Sequence, residues 1–372
     1  MPGLCRERRE YRHYRARNDQ RPGRGVQGCD RGLAGVLADK IALGQYSFDE
    51  AVSIAAATLY DTPQKLLKLT PPLNLKEKTM NTKKSKLTTP FVPMRELLQS
   101  AYQGGYAVPS FCAWNAEVAE TILQVAVELQ SPVILMNGPG EFGLNSPDTM
   151  ARICGALAAK YPVPVALHLD HGDSMEMVRD CLDAGYSSVM LDYSTRSFDE
   201  NATALKRVVD QARPLGVTVE GEIGAVGKVD AITIEGATRS TLTEPEQAVR
   251  YVEETGVDCL AVSIGNAHGI YTRLPVFDFE RLEKIRRVVG VPLVLHGGSG
   301  TQPEYIRQAI ALGMAKVNVA SELCKAFHDS YIGQLNDGKP GWVPTMLAAA
   351  RPALAQVAEK WIRLAGAAGK AV

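Results

Sequence analysis

From about residue 90 onward the chain predicts an α/β protein, a (β/α)8 (TIM) barrel, preceded by an N-terminal helical or disordered extension. Three observations carry this expectation. Short apolar, β-branched runs alternate with amphipathic helical stretches, as βα units around a parallel sheet do. Eight such runs occur, at 106–111, 132–136, 164–170, 188–192, 218–224, 259–265, 292–297 and 315–320, and eight units close a barrel. The first run ends in Pro109-Ser110-Phe111-Cys112, not in the Gly-rich turn that an open, doubly wound sheet would place there.

In chain order, residues 1–79 differ in character from the rest of the chain and are read as an extension, with the barrel at 80–372. Residues 1–24 are rich in arginine and lack apolar periodicity. Glu7, Glu10 and Asp19 run against a transit peptide, and no apolar stretch suits a secretory signal. Ser47-Phe48-Asp49-Glu50 is a capping-box pattern ahead of an apolar run at 51–59. Asp61-Thr62-Pro63 ends that helix and opens another. Pro71-Pro72 and the lysines up to Lys86 then read as a linker. The extension shows no catalytic grouping. It reads as a helical appendage or as a segment outside the working enzyme. In the barrel, helices are expected at 116–129, 199–215, 245–255, 278–289 and 303–312. The alanine-rich tail from Trp342 suits packing on the barrel or on a partner subunit.

Composition narrows the class of function. The formal net charge is +0, which leaves no footprint for nucleic acid or an anionic membrane. The apolar runs are too short to span a bilayer. Seven scattered cysteines without a Cys-x-x-Cys pair suggest a reduced, cytoplasmic protein.

A barrel enzyme carries its chemistry at the C-terminal ends of its strands. Of six histidines, His168, His171, His268 and His296 fall at such ends. His171, His268 and His296 follow three different strands and can converge on one point; three nitrogen ligands with an open fourth position is the usual shape of a catalytic zinc site. Asp170, beside His171, is placed to carry a proton. Asp192 ends the fourth strand, and Glu220 and Glu222 share one face of the fifth. These three suit either direct chemistry or the orienting of a histidine. Gly297-Gly298-Ser299 after the seventh strand and Asn318-Val319-Ala320-Ser321 after the eighth match the phosphate-binding position of this architecture. A metal beside a phosphate site, with carboxylates between, can polarise a carbonyl and support aldol chemistry on a ketose phosphate.

With these motifs the chain resembles the class II (zinc-dependent) fructose-bisphosphate aldolase family, in the branch that holds tagatose- and ketose-bisphosphate aldolases. The resemblance spans about residues 88–372. It rests on Leu167-His168-Leu169-Asp170-His171-Gly172, Glu220-Gly221-Glu222-Ile223-Gly224, Gly265-Asn266-Ala267-His268-Gly269, the two phosphate motifs and Ala368-Gly369-Lys370-Ala371. It implies that His171, His268 and His296 hold Zn2+ and that Asp170 exchanges a proton with the aldehyde half. It implies that Gly269, Gly297, Gly298, Ser299, Asn318, Val319, Ala320 and Ser321 hold dihydroxyacetone phosphate, with a monovalent cation (Na+ or K+) near the phosphate. It further implies reversible cleavage of fructose or tagatose 1,6-bisphosphate, in carbohydrate metabolism such as glycolysis, by a homodimer or homotetramer.

Two stretches depart from the family. The loop after the fifth strand reads Gly227-Lys228-Val229-Asp230-Ala231, where the family has Gly-Gly-x-Glu-Asp. Asp230 stands where a glutamate removes the proton beside the carbonyl. Ser110-Phe111-Cys112 stands where relatives often have Ala-Phe-Asn. Three alternatives compete. An aldolase acting on a different ketose phosphate would suit both departures, which lie on the substrate side rather than at the metal. A Schiff-base aldolase needs a lysine at a strand end, yet Lys316 lies early in the eighth strand. A non-catalytic partner subunit would suit the altered loop, but has no need of the three histidines and Asp170.

Overall fold

The computed structural model describes residues 90–228, 242–269, 275–337 and 341–371. The expected extension, its boundary at residue 80 and Asp230 lie outside the described residues. Eight parallel strands form a closed barrel: β1 (Val108–Cys112), β2 (Val133–Asn137), β3 (Val165–Gly172), β4 (Ser188–Leu191), β5 (Thr218–Ile223), β6 (Cys259–Val262), β7 (Leu293–Leu295) and β8 (Met314–Val319). They run in sequence order around the barrel and close where β1 pairs with β8. Each of the eight expected runs overlaps a barrel strand; β1, β2 and β3 extend past the expected C-terminal end and β8 starts before the expected N-terminal one. The strands are shorter at most ends because the residues beyond the last ladder bond turn into the rim loops. A two-stranded ribbon, Gly227–Lys228 with Ala267–His268, is an addition that periodicity does not show.

The helices are α1 (Met94–Gly104), α2 (Ala116–Glu128), α3 (Pro139–Phe142), α4 (Pro147–Ala158), α5 (Met175–Ala184), α6 (Phe198–Ala212), α7 (Pro245–Thr255), α8 (Phe279–Val288), α9 (Pro303–Ala311), α10 (Ser321–Asn336) and α11 (Val343–Leu364). Their starts are written locally. The Asn115 side chain accepts from Val118 N–H at the head of α2, and Ser197 with Glu200 forms a capping box at α6. α7 opens on Pro245 and stops at Gly256, which holds φ 69°. No helix among the described residues is long and apolar enough to cross a membrane.

The two faces of the strands differ. Phe111, Leu135, Leu167, Val219, Leu260, Leu295 and Val317 belong to a continuous apolar core with the helices. The barrel interior is mixed instead: beside Ile134, Met190 and Val294 it holds Ser110, His168, Ser188, Glu220 and Lys316, all fully buried. Such interiors are usually filled with Val, Ile and Leu. These polar groups bond to one another, as buried polar groups must. Ser110 Oγ donates to Met136 Sδ (3.2 Å), His168 Nδ1 and Ser188 Oγ share a hydrogen bond (2.8 Å), and Lys316 Nζ donates to Glu220 Oε2 (2.8 Å).

The tail packs on the barrel as α11, burying Met346, Ala350, Leu354, Ala358, Trp361 and Ile362. Trp361 is fully buried, and its Nε1 donates to Glu322 Oε2 at 3.0 Å. The truncation Trp361→Ala is expected to lower stability by about 3–5 kcal/mol, read from the denaturant midpoint. An unchanged midpoint would mean that α11 is not part of the barrel's cooperative unit.

Candidate active site

The C-terminal end of β3 departs from regular strand geometry at the candidate residues Asp170 and His171. The β3–β4 register shifts between Leu169 and Gly172, and His171 holds φ 48°. A positive φ is uncommon for a residue with a side chain and marks functional positions. Successive strand side chains face opposite ways, so a regular strand would present either Asp170 or His171 to the rim. The irregularity brings both there. Gly172 follows for steric reasons, since a Cβ on it would lie 2.6 Å from Met190 O.

Three histidines from three chain segments then meet. The His171 ring lies edge-on to His268 (4.8 Å between centroids) and to His296 (4.6 Å). One nitrogen from each falls within 4.8 Å of the others. His268 sits on the ribbon, in register with Lys228. His296 follows β7 and is fully buried. Each of two rings is held by a carboxylate on one nitrogen: His171 Nδ1 donates to Asp192 Oδ2 (2.7 Å), and His296 Nε2 donates to Glu220 Oε1 (2.8 Å). The opposite nitrogens, His171 Nε2 and His296 Nδ1, are buried without a hydrogen-bond partner. Glu222 Oε2 is likewise unpartnered; it lies 3.0 Å from His296 Nδ1 but off the angle of a hydrogen bond. Buried polar atoms are rarely left so. A metal ion held by imidazoles would satisfy them, and carboxylate-oriented histidines are the usual surroundings of such an ion. The residues therefore fit the expected metal.

The electrostatics agree. Burial works against protonating His296, but Glu220 and Glu222 override it and push its pKa up to about 10. His171 is also raised, since Asp170 and the Asp192 hydrogen bond outweigh burial. Asp170 is held down to about 2: burial opposes ionisation, and His171, His296, Lys316 and His168 overcome it. Asp192 is lowered too, by its bonds to His171 and Ser194 against burial. In the absence of metal, protons take the place of the cation, and metal binding has to displace them.

Asp170 Oδ1 accepts from Asn318 Nδ2 (2.8 Å), and Asp170 Oδ2 lies 4.0 Å from His171 Nε2. Asp170 and His268 line one cavity with Met136, Gly269, Gly297, Ser299, Asn318, Ala320 and Ser321. Most of the expected phosphate-binding residues thus surround a single space. Gly297 holds φ 66°, and a Cβ there would collide with Ala267 O at 2.0 Å. α10 starts beside this cavity, and no side chain caps its N-terminus, an arrangement suited to an anion. Gly298 and Val319 lie behind the wall. The Val319 side chain is buried on the face of β8 opposite Asn318, which leaves only its backbone for a ligand.

Several contributors escape motif reading. Glu322 accepts from Gly300 N–H (2.8 Å), Lys360 Nζ (2.8 Å) and Trp361, tying the glycine loop to α11. Glu141 accepts from Cys112 Sγ (3.2 Å) and from Gly138 N–H (2.8 Å) at the rim. Lys316 pairs with Glu220 inside the barrel. The available signal for Lys316 was one charged residue within an otherwise buried strand. Among the described residues, His168, Asp170 and Glu220 also group as a metal site would, as do His171, Asp192 and Glu222. The Lys316 ammonium already occupies Glu220 in the first of these.

The His296 shift fixes a sign. A folded-state pKa raised from about 6.5 to about 10 adds stability that is fully present below pH 6.5 and lost as pH rises through 10. The chelator-treated protein is therefore expected to show a falling denaturant midpoint between pH 7 and pH 10. A flat profile over that range would contradict the hydrogen bond of His296 to Glu220 and the nearby charge of Glu222.

Comparison with known proteins gives the family. Residues 92–370 match the family described as fructose-bisphosphate aldolase class-II. The YdjI aldolase from Escherichia coli K12 is 36% identical, and the match covers 76% of this chain and 100% of that one at a TM-score of 0.68. A solved structure from Coccidioides immitis is 28% identical over 75% of this chain and 98% of that one, with a TM-score of 0.67. The fructose-bisphosphate aldolase (Fba) of Campylobacter jejuni shares the fold at 24% identity, over 74% of this chain and 95% of that one, with a TM-score of 0.62. The chain belongs to the class-II fructose-bisphosphate aldolase family and is an aldolase, a carbon–carbon lyase.

Proposed function

We propose that the protein is a zinc-dependent aldolase that reversibly cleaves a ketose 1,6-bisphosphate, fructose or tagatose, to dihydroxyacetone phosphate and an aldehyde phosphate such as glyceraldehyde 3-phosphate. The observation that carries this reading is the two buried, unpartnered nitrogens, His171 Nε2 and His296 Nδ1, in neighbouring rings beside the glycine-lined cavity. His171, His268 and His296 would hold the ion. When bound, zinc would act as a Lewis acid on the ketose carbonyl and would stabilise the negative charge that develops on its oxygen. The remaining steps belong to the protein. Gly269, the Gly297–Ser299 loop and the start of α10 bind the phosphate of the dihydroxyacetone half. Asp170, kept ionised by its cationic neighbours, takes the proton from the C4 hydroxyl. The C3–C4 bond then breaks, its electron pair passes to the C3 side, and the aldehyde leaves. Asp230 or a nearby acid returns a proton to C3. Asn318 holds Asp170 Oδ1 in place. Asp192 and Glu220 act by orienting His171 and His296.

The free thiols of Cys112, Cys154, Cys181, Cys259 and Cys324 support a reducing, cytoplasmic setting. The family supports a homodimer or homotetramer.

The test is metal content and dihydroxyacetone phosphate release from both bisphosphates, with and without chelator. About one zinc per chain is expected, with release abolished by chelator and restored by zinc. Bound zinc with turnover of neither sugar would reject the bisphosphate assignment. Asp170→Asn is expected to lower kcat by about 10²- to 10⁴-fold at unchanged zinc content. A variant that keeps its rate would remove Asp170 from the proton transfer.

A further inference from the structure

The barrel interior holds a lysine that the proton transfers above do not use. Lys316 sits on β8 two residues before Asn318, on the same face and one pleat deeper. It is fully buried, and its Nζ lies 2.8 Å from Glu220 Oε2. The other oxygen of Glu220 takes the hydrogen bond from His296 Nε2 at 2.8 Å. Lys316, Glu220 and His296 therefore form one line that ends at the unpartnered His296 Nδ1. The surroundings close it in: His168 Nε2 lies 3.7 Å and Cys259 Sγ 3.8 Å from the same Glu220 oxygen.

Two simpler roles for Lys316 fit poorly. A Schiff-base lysine has to meet the substrate carbonyl, whereas this ammonium is fully buried and engaged by a carboxylate. A purely stabilising ion pair is also a weak account. Replacing a buried pair with apolar residues is often neutral or stabilising, and such residues ordinarily fill barrel interiors.

Hydrogen-bond direction gives the pair a use. An ammonium group only donates, so Glu220 Oε2 accepts from Lys316. A carboxylate so held accepts on its other oxygen as well. His296 then carries its hydrogen on Nε2 and presents a lone pair at Nδ1. We propose that Lys316 is a positioning residue for the metal centre: through Glu220 it sets the tautomer and ring orientation of His296. The proposal rests on the zinc-aldolase reading.

The test uses the full chain, stripped of metal, as wild type, Lys316→Met and the double variant E220Q/K316M. Zinc affinity is measured by competition with a chromophoric chelator, the cobalt form by its visible absorption spectrum, and stability by denaturant unfolding. Lys316→Met is expected to bind zinc about 10- to 100-fold more weakly and to shift the cobalt spectrum. The double variant has no unpaired buried charge, so it is expected to recover the unfolding midpoint. It is not expected to recover zinc affinity, because the amide that E220Q introduces can present either its oxygen or its NH2 to His296. If Lys316→Met does not fold, the double variant carries the comparison. Zinc affinity in the double variant within about twofold of wild type would overturn the proposal and leave Lys316 a structural counter-charge. A wild-type chain that binds neither zinc nor cobalt would overturn the metal reading, and this proposal with it.

Discussion

Two neighbouring residues of a strand cannot both face one side of it, and this site uses both. Asp170 reaches the cavity and His171 reaches His268 and His296 beside it because β3 leaves its register there and His171 takes a positive φ. Such a conformation costs on the order of 1–3 kcal/mol and persists only where its surroundings over-determine it. Those surroundings are specific. Asp192 holds the His171 ring from the end of β4, Asn318 holds Asp170 from β8, and Gly172 removes the Cβ that would strike Met190. Gly138 does the same on the other side, since a Cβ there would lie 2.6 Å from Asp170 O. The strain sits at the edge that carries Asp170 and His171, and the rigid barrel around it keeps it in place.

The polar column inside the barrel continues this arrangement inward. Charges in a dry interior persist only when paired and hydrogen-bonded. Glu220 meets that condition through Lys316 on one oxygen and His296 on the other. Glu222, two residues on, shares its face and brings a second carboxylate to His296. Its backbone carbonyl is held by Asn201, which Tyr251 Oη holds in turn. The groups around the histidines are thus anchored from β4, β5, β8 and α6, and rigid elements place functional groups more accurately than loops do.

The side of the cavity formed by Gly269, Gly297, Ser299, Ala320 and Ser321 is assembled differently. Its walls are backbone and small side chains, so its shape depends on how loops are held from behind. Glu322 does this from the first turn of α10, joining Gly300 to Lys360 and Trp361 of α11. Trp361 also packs behind Gly298. The C-terminal helix therefore takes part in positioning the cavity, although none of its residues lines it.

By itself the sequence determined the periodic and local features. The alternation of β-branched runs with amphipathic stretches specifies the eight βα units, and Ser197, Pro245 and Gly256 mark helix ends through nearest-neighbour chemistry. The grouping of His171, His268 and His296 was legible because the barrel sends every strand end to one rim, so position along the strand predicts position in space. Tertiary structure alone decided what depends on contacts between distant segments. It assigned the Asp192 carboxylate to His171 and that of Glu220 to His296, turned Val319 away from the cavity, and joined Glu322 to α11. It also placed Lys316 against Glu220, 96 residues away in the chain. Strand periodicity states which face a residue occupies. Which group it meets there depends on barrel closure and register, and a single strand does not encode either.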